Sequence, residues 1–131
     1  MHVCLVGTAL MRDPNLLSRL SADHVITLAP ASAALLGMPI MATVDAMVLD
    51  AATARRGLGG VVADIHQRHP DIPVVLVDGG LDQLELAEAF QHGIADYFAA
   101  PWNVALLVER VEVLGARRNS RLETTTNGGT Q

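Results

Sequence analysis

Apolar residues in this chain fall into short runs separated by longer amphipathic stretches. The runs Val3 to Val6, Val25 to Ala29, Ala46 to Leu49, Val74 to Val77 and Ala95 to Ala99 are each brief and continuous rather than alternating. Continuous runs of this length mark strands covered on both faces, as in parallel sheets. The intervening stretches carry helix signals. Asp13-Pro14 reads as an N-cap followed by proline in the first turn of a helix through Leu20. Ala31 to Leu36 predicts a further helix, closed by Gly37 and Pro39. Leu58, Val61, Val62 and Ile65 lie at i, i+3, i+4 and i+7, and His69-Pro70 ends that helix. Leu86 and Phe90 are one turn apart, with Gly93 as the stop. Asn103 can cap a last helix whose apolar stripe is Val104, Leu107, Val108, Val111 and Leu114. Five β-α units of this kind predict a doubly wound, three-layer α/β fold, in which sites form at the carboxyl ends of the strands.

The helical pattern stops after Arg118, and Leu122 to Gln131 is polar and rich in Gly and Thr. Residues 1–118 are therefore expected to form the folded domain, and 119–131 a polar, flexible tail or linker. On this reading the chain is a single-domain protein or the excised N-terminal domain of a longer one.

Composition narrows the function classes. The chain has 131 residues, 14 acidic against 9 basic, and a formal net charge of -5. No basic stripe of the sort that releases counterions from phosphates is visible, so direct nucleic-acid binding is not expected. The group Arg117, Arg118 and Arg121 suits the end of a helix, where the dipole favours cations. No apolar run approaches the roughly 20 residues that span a bilayer, and a soluble cytoplasmic protein with no membrane partner is expected. The single cysteine, Cys4, lies inside the first apolar run, where a small buried thiol is the ordinary finding. His66-x-x-His69 has helical spacing but supplies only two ligands, too few for a metal site.

Candidate chemistry centres on DAMVLDAA, Asp45 to Ala52, where a dense apolar run ends in the carboxylate of Asp50. This stretch, with DIPVVLV at the fourth strand and GIADYF followed by Ala-Ala-Pro at the fifth, resembles the receiver domain of two-component response regulators. The resemblance runs from about Met1 to Arg118. It implies a five-stranded parallel sheet in the flavodoxin-like order 2-1-3-4-5, a regulatory rather than enzymatic role, and Asp50 as the phospho-acceptor position. Receivers surround that aspartate with an acidic pair that holds Mg²⁺, a Ser or Thr, and a lysine. At the matching positions this chain has Gly7 and Thr8, Asp78, and Ala100.

These replacements bear on rate. Phosphoryl transfer depends on positioning and on cations that neutralise the equatorial oxygens. Losing one preorganised stabiliser costs about 10² to 10³ in rate, so losing metal ligands and lysine together costs on the order of 10⁴. Asp78 on the neighbouring strand is expected near Asp50, and two uncompensated carboxylates raise one another's pKa. The resemblance therefore implies a degenerate receiver, a pseudo-receiver independent of phosphorylation, with no cofactor. It would act through protein contacts with an output partner or through dimerisation.

Two alternatives stay open at this point. In the first, Asp13 folds back to join Asp50 and Asp78 as oxygen ligands for Mg²⁺, giving a phospho-receiver with a rearranged acidic pocket. In the second, the strand-end crevice binds a small ligand. Arg12, next to Asp13, could partner an anion there, or be solvated. Tyr97 matches the aromatic that moves with phosphorylation in receivers, and Tyr97 and Trp102 are the switch or interface candidates. Among degenerate receivers, the alanine-proline ending resembles the N-terminal domains of pilus-assembly localisation ATPases.

Overall fold

Three of the five apolar runs are buried along their whole length, and they form the middle of a single sheet. In the computed structural model, which describes residues 1–54, 57–78 and 80–129, the chain begins β1 (His2–Val6), α1 (Thr8–Met11), α2 (Pro14–Ser21) and β2 (Val25–Ala29). Two 3-10 turns follow, Ser32–Ala34 and Pro39–Thr43, and then β3 (Ala46–Asp50) and a third 3-10 turn, Ala51–Ala54. The second half is α3 (Leu58–Arg68), β4 (Val74–Asp78), α4 (Gln83–Gln91), β5 (Asp96–Ala99) and α5 (Val104–Gly129). All strand pairings are parallel, in the order β2-β1-β3-β4-β5. This is the doubly wound, flavodoxin-like arrangement expected from the sequence.

Side-chain alternation splits the core into two layers. Cys4, Val6, Met47, Leu49 and Leu76 point to one face and pack with Leu58, Val62 and Ile65 of α3. Val3, Leu5, Val48, Val75 and Val77 point to the other, against Leu10, Leu16 and Leu20 and against Leu107, Val111 and Leu114 of α5. Burying a leucine or valine side chain contributes roughly 1.5–3 kcal/mol. A slip of one residue in β3 would exchange these two sets and lose both fits, so the register is strongly specified.

Local signals in the sequence account for most helix ends. Asp13 accepts a hydrogen bond from the Leu16 N–H at 3.1 Å, with Pro14 opening α2. Asn103 accepts from Leu106 N–H at 3.1 Å in front of α5. Gly93, at φ 109°, follows α4. Asp82 caps α4 through the Glu85 N–H at 2.8 Å, a cap the sequence reading passed over. The backbone of α5 remains helical to Gly129, beyond the end of its apolar stripe. No helix among the described residues is long and apolar enough to cross a membrane.

Two expectations need correction. The segment Ala31 to Leu36 is not an α-helix; it is a 3-10 turn, followed by a second one after Gly37. Gly37 and Pro39 leave too few residues to repay helix nucleation, and 3-10 turns serve as the shorter connector. As a result β2 is not covered on both faces. It is an edge strand with Val25 66% and Leu28 42% exposed.

A polar cluster closes the amino-terminal end of the sheet. Asp45 accepts from the His2 N–H at 2.7 Å and pairs with Arg118 of α5 at 2.9 Å, both side chains being nearly buried. His2 in turn bonds Thr43 Oγ1 at 2.9 Å and Thr27 Oγ1 at 2.7 Å. This cluster ties β1, β2, β3 and α5 together. Removing one member of a buried ion pair strands the other charge. Asp45→Ala is therefore expected to destabilise the fold by about 3 kcal/mol, read as a shifted midpoint in chemical denaturation. An unchanged midpoint would show that the pair is not holding α5.

Candidate functional site

The carboxyl ends of β1, β3, β4 and β5 meet where the sequence reading placed the site. Asp50 is the last residue of β3 and is only 5% exposed. Its Oδ1 accepts from the Ala52 N–H at 3.0 Å, and its backbone carbonyl accepts from Thr53 Oγ1 at 2.8 Å. The turn after β3 is thus built around this residue, an Asx-type arrangement that satisfies part of the carboxylate locally.

Gly7, directly after β1, determines what else can stand there. It has φ 128°, a conformation that L side chains rarely adopt, and its N–H donates to the Ala29 carbonyl at 2.8 Å. A Cβ at this position would lie 2.5 Å from the Asp50 Cβ and 3.3 Å from its Oδ2. The backbone of β1 therefore rests on the Asp50 side chain, in the place where the resemblance puts an acidic pair. Thr8, the other residue of that pair, is exposed and opens α1.

The remaining candidates are also placed by other bonds. Asp13 caps α2, and the reading that gathered it with Asp50 and Asp78 around a cation does not hold. No group of three or more His, Cys, Asp or Glu side chains able to share a metal occurs among the described residues. Asp78 ends β4, 7% exposed, with its backbone carbonyl accepting from Ala100 N–H at 2.8 Å and from the Tyr97 hydroxyl at 3.3 Å. The register sets Asp50 beside Val77, so the two carboxylates are offset by one residue on adjacent strands rather than paired across them. Ala100 is exposed and presents a methyl group where receivers have a lysine. All nine basic residues of the chain are arginine, so no lysine from elsewhere can replace it. Arg12 is exposed just after α1.

A hard cation such as Mg²⁺ needs near-octahedral oxygen ligation, several positions supplied by carboxylates or water. With Gly7 packed on Asp50 and Asp13 spent on a helix cap, the residues present do not fit that requirement.

Tyr97 is half-buried against the α3 side of the core, and Trp102 against the α5 side. Trp102 lines an open cleft of about 260 Å³ together with Asp13, Ala100, Pro101 and Val104. The Tyr97 hydroxyl bonds the Asp78 backbone, a partner available whatever side chain ends β4. Two weaker candidates are resolved by their neighbours. His66 abuts Gly93, while His69 Nε2 bonds the Leu36 carbonyl at 3.0 Å, so the pair serves two separate packing contacts. Cys4 is fully buried in β1, and burial pushes its thiol up to about 12 from 9.0. Its neutral form is the one that fits, so unfolding releases a proton above pH 9. Stability is therefore expected to fall as pH rises from about 9 towards 12, by up to about 1.4 kcal/mol per pH unit. Native protein should resist alkylation at pH 8, whereas urea-unfolded protein should react fully.

Gly7→Ala combines a disfavoured φ with overlap on Asp50 and is expected to cost about 2 kcal/mol or more. Combining it with Asp50→Gly, which removes the opposing Cβ, should recover part of that loss in denaturation experiments. No recovery would mean that the two residues are not in contact.

Neither a protein-family model nor a curated protein matches this sequence. Solved structures do. The signal receiver domain of an HD domain-containing protein from Pseudomonas fluorescens Pf-5 superposes with TM-score 0.77 at 25% identity, covering 93% of this chain and 91% of that one. NtrX from Brucella abortus, solved with ADP, gives TM-score 0.77 at 19% identity, with 95% of this chain matching 28% of the longer NtrX chain. A protein described as a pilus assembly protein (cpaE) from Burkholderia thailandensis E264 gives TM-score 0.73 at 15% identity, covering 88% of this chain and 98% of that one. With its sheet order, its acceptor-position aspartate and these likenesses together, the chain is a domain of the response regulator receiver fold.

Proposed function

We propose that this chain is a pseudo-receiver: a signalling domain that keeps the receiver fold, does not use phosphoryl transfer, and acts through protein contacts. The observation that carries this reading is the contact between Gly7 and Asp50. With φ 128° and a Cβ that would lie 2.5 Å from the Asp50 Cβ, the position after β1 supplies no side chain to hold a cation beside the acceptor carboxylate. Ala100 adds no charge on the other side. An incoming phosphoryl group of roughly two negative charges would meet Asp50 and Asp78 on adjacent strands without the usual cation and lysine. The domain is regulatory rather than enzymatic on this reading.

Its output would then pass through surface contacts. Leu84 and Phe90 on α4, with Leu106 and Val113 on α5, are exposed large apolar residues. Phe98, Leu106, Glu109, Arg110 and Val113 line a groove of about 300 Å³. Such surfaces suit a protein partner or an attached output domain. The NtrX likeness supports this direction, since this chain matches only 28% of that longer chain.

The test is incubation of the full chain with Mg²⁺ and a small phosphodonor such as acetyl phosphate, read by intact mass. No adduct of one phosphoryl group is expected. A clear adduct that disappears in Asp50→Asn would overturn the proposal in favour of a phospho-accepting receiver. Tyr97→Phe serves as a second probe: removing a hydroxyl that bonds only backbone should leave partner binding unchanged.

A further inference from the structure

The single tryptophan of the chain, Trp102, stands in the connection between β5 and α5. Only part of its side chain packs on the α5 side of the core. The rest borders the open cleft of about 260 Å³, whose other walls are Asp13, Ala100, Pro101 and Val104. Of these residues only Asp13 is charged. Its Oδ1 accepts from the Leu16 N–H at 3.1 Å, while its Oδ2 accepts no hydrogen bond among the described residues. The cleft thus pairs one aromatic wall with one open carboxylate oxygen, over a floor of small apolar groups.

The chain itself brings no cation to this carboxylate. Arg68, Arg110 and Arg118 each pair with a carboxylate elsewhere, on Asp64, Asp96 and Asp45. Arg12, although adjacent in sequence, is exposed and does not line the cleft. Asp13 takes part in no ion pair among the described residues. The net charge of -5 favours a positively charged occupant over a neutral or acidic one.

The kind of cation follows from the rest of the lining. The start of α2 carries roughly half a positive charge from its dipole, which offsets part of the Asp13 carboxylate. A small hydrated ion would therefore gain little here. A guanidinium gains twice, because its plane stacks on indole while its N–H groups reach a carboxylate. The volume admits one long side chain and no folded element, and arginine against tryptophan is a combination enriched where interfaces carry their binding energy.

We propose that the Trp102–Asp13 cleft is the socket for an arginine side chain of a protein partner, stacked on the indole and bonded to Asp13 Oδ2. This rests on the reading that the domain acts through protein contacts, and it names the chemistry of one such contact. Trp102 is the anchor on this side and Asp13 sets the sign of the partner's charge.

The experiment titrates the full chain with acetyl-Gly-Arg-Gly-amide at constant ionic strength. Intrinsic fluorescence reads the cleft directly, since no other tryptophan contributes. A saturable change is expected with the arginine peptide, and binding about fivefold weaker or worse with the matched citrulline peptide, which keeps the shape and loses the charge. Asp13→Asn should weaken binding by a similar factor while leaving the far-UV spectrum intact, because asparagine caps a helix as well as aspartate. Arg12→Ala and Glu109→Gln should leave the titration unchanged. No saturable response, or an equal response to the citrulline peptide, would overturn the proposal. So would binding that is indifferent to Asp13→Asn but lost in Glu109→Gln, which would move the basic group to the α5 groove. A marked tightening in Arg12→Ala would make the chain's own Arg12 the occupant. Free arginine binding more tightly than the peptide would make the cleft a small-molecule site, and either result also overturns it. A phosphoryl adduct on Asp50 would sink the pseudo-receiver reading without altering these titrations, so the two failures are distinguishable.

Discussion

Burial of β3 on both faces is the constraint on which the rest of this structure depends. Ala46 and Val48 face α5, Met47 and Leu49 face α3, and neither set can move to the other side without losing its fit. Neighbouring strands β1 and β4 are held in register by the same two layers. Once that register is set, Asp50 must end β3, Asp78 must end β4, and the residue after β1 must come up against Asp50. The site is a consequence of the core rather than an addition to it.

At that point a single glycine sets how closely the chain approaches Asp50. Gly7 lets the β1 backbone close onto the Asp50 side chain, in a conformation and at a distance that exclude a Cβ. Other groups that could have served a phosphoryl site have been given structural tasks. Asp13 caps α2, Asp50 Oδ1 accepts from the turn that follows it, and the Tyr97 hydroxyl bonds a backbone carbonyl. Each is a hydrogen bond worth about 1 kcal/mol, and together they help to hold the strand ends in one arrangement.

The two edges of the sheet differ for a related reason. Beyond β4, the strand β5 is followed by a long α5 that packs across one face and is pinned just past its middle by Arg118 on Asp45. Beyond β1, the strand β2 is followed by 3-10 turns that fill the α3 side of the core with Leu35, Leu36 and Met41 but leave the outer edge open. Apolar surface remains there because the connecting segment supplies small residues, proline and glycine, and nothing charged.

Much of the architecture was legible without coordinates. Continuous apolar runs specify strands buried on both faces, and Asp13-Pro14, Asn103 and Gly93 mark helix ends, because capping and turn chemistry are local. The position of Asp50 at a strand end could be read in the same way. What stayed hidden depends on partners far apart in the chain. Nothing near Gly7 in sequence reveals that its missing Cβ is required by Asp50, and nothing near Asp45 points to Arg118. The Ala31 to Leu36 stretch looked helical because its apolar content is right, but its length before Gly37 is too short to repay nucleation. By itself, then, the sequence determined which segments are strands and helices and which carboxylates end them. Only the tertiary structure decided which groups meet at those ends, because that depends on sheet register and on the space left by side chains from other strands.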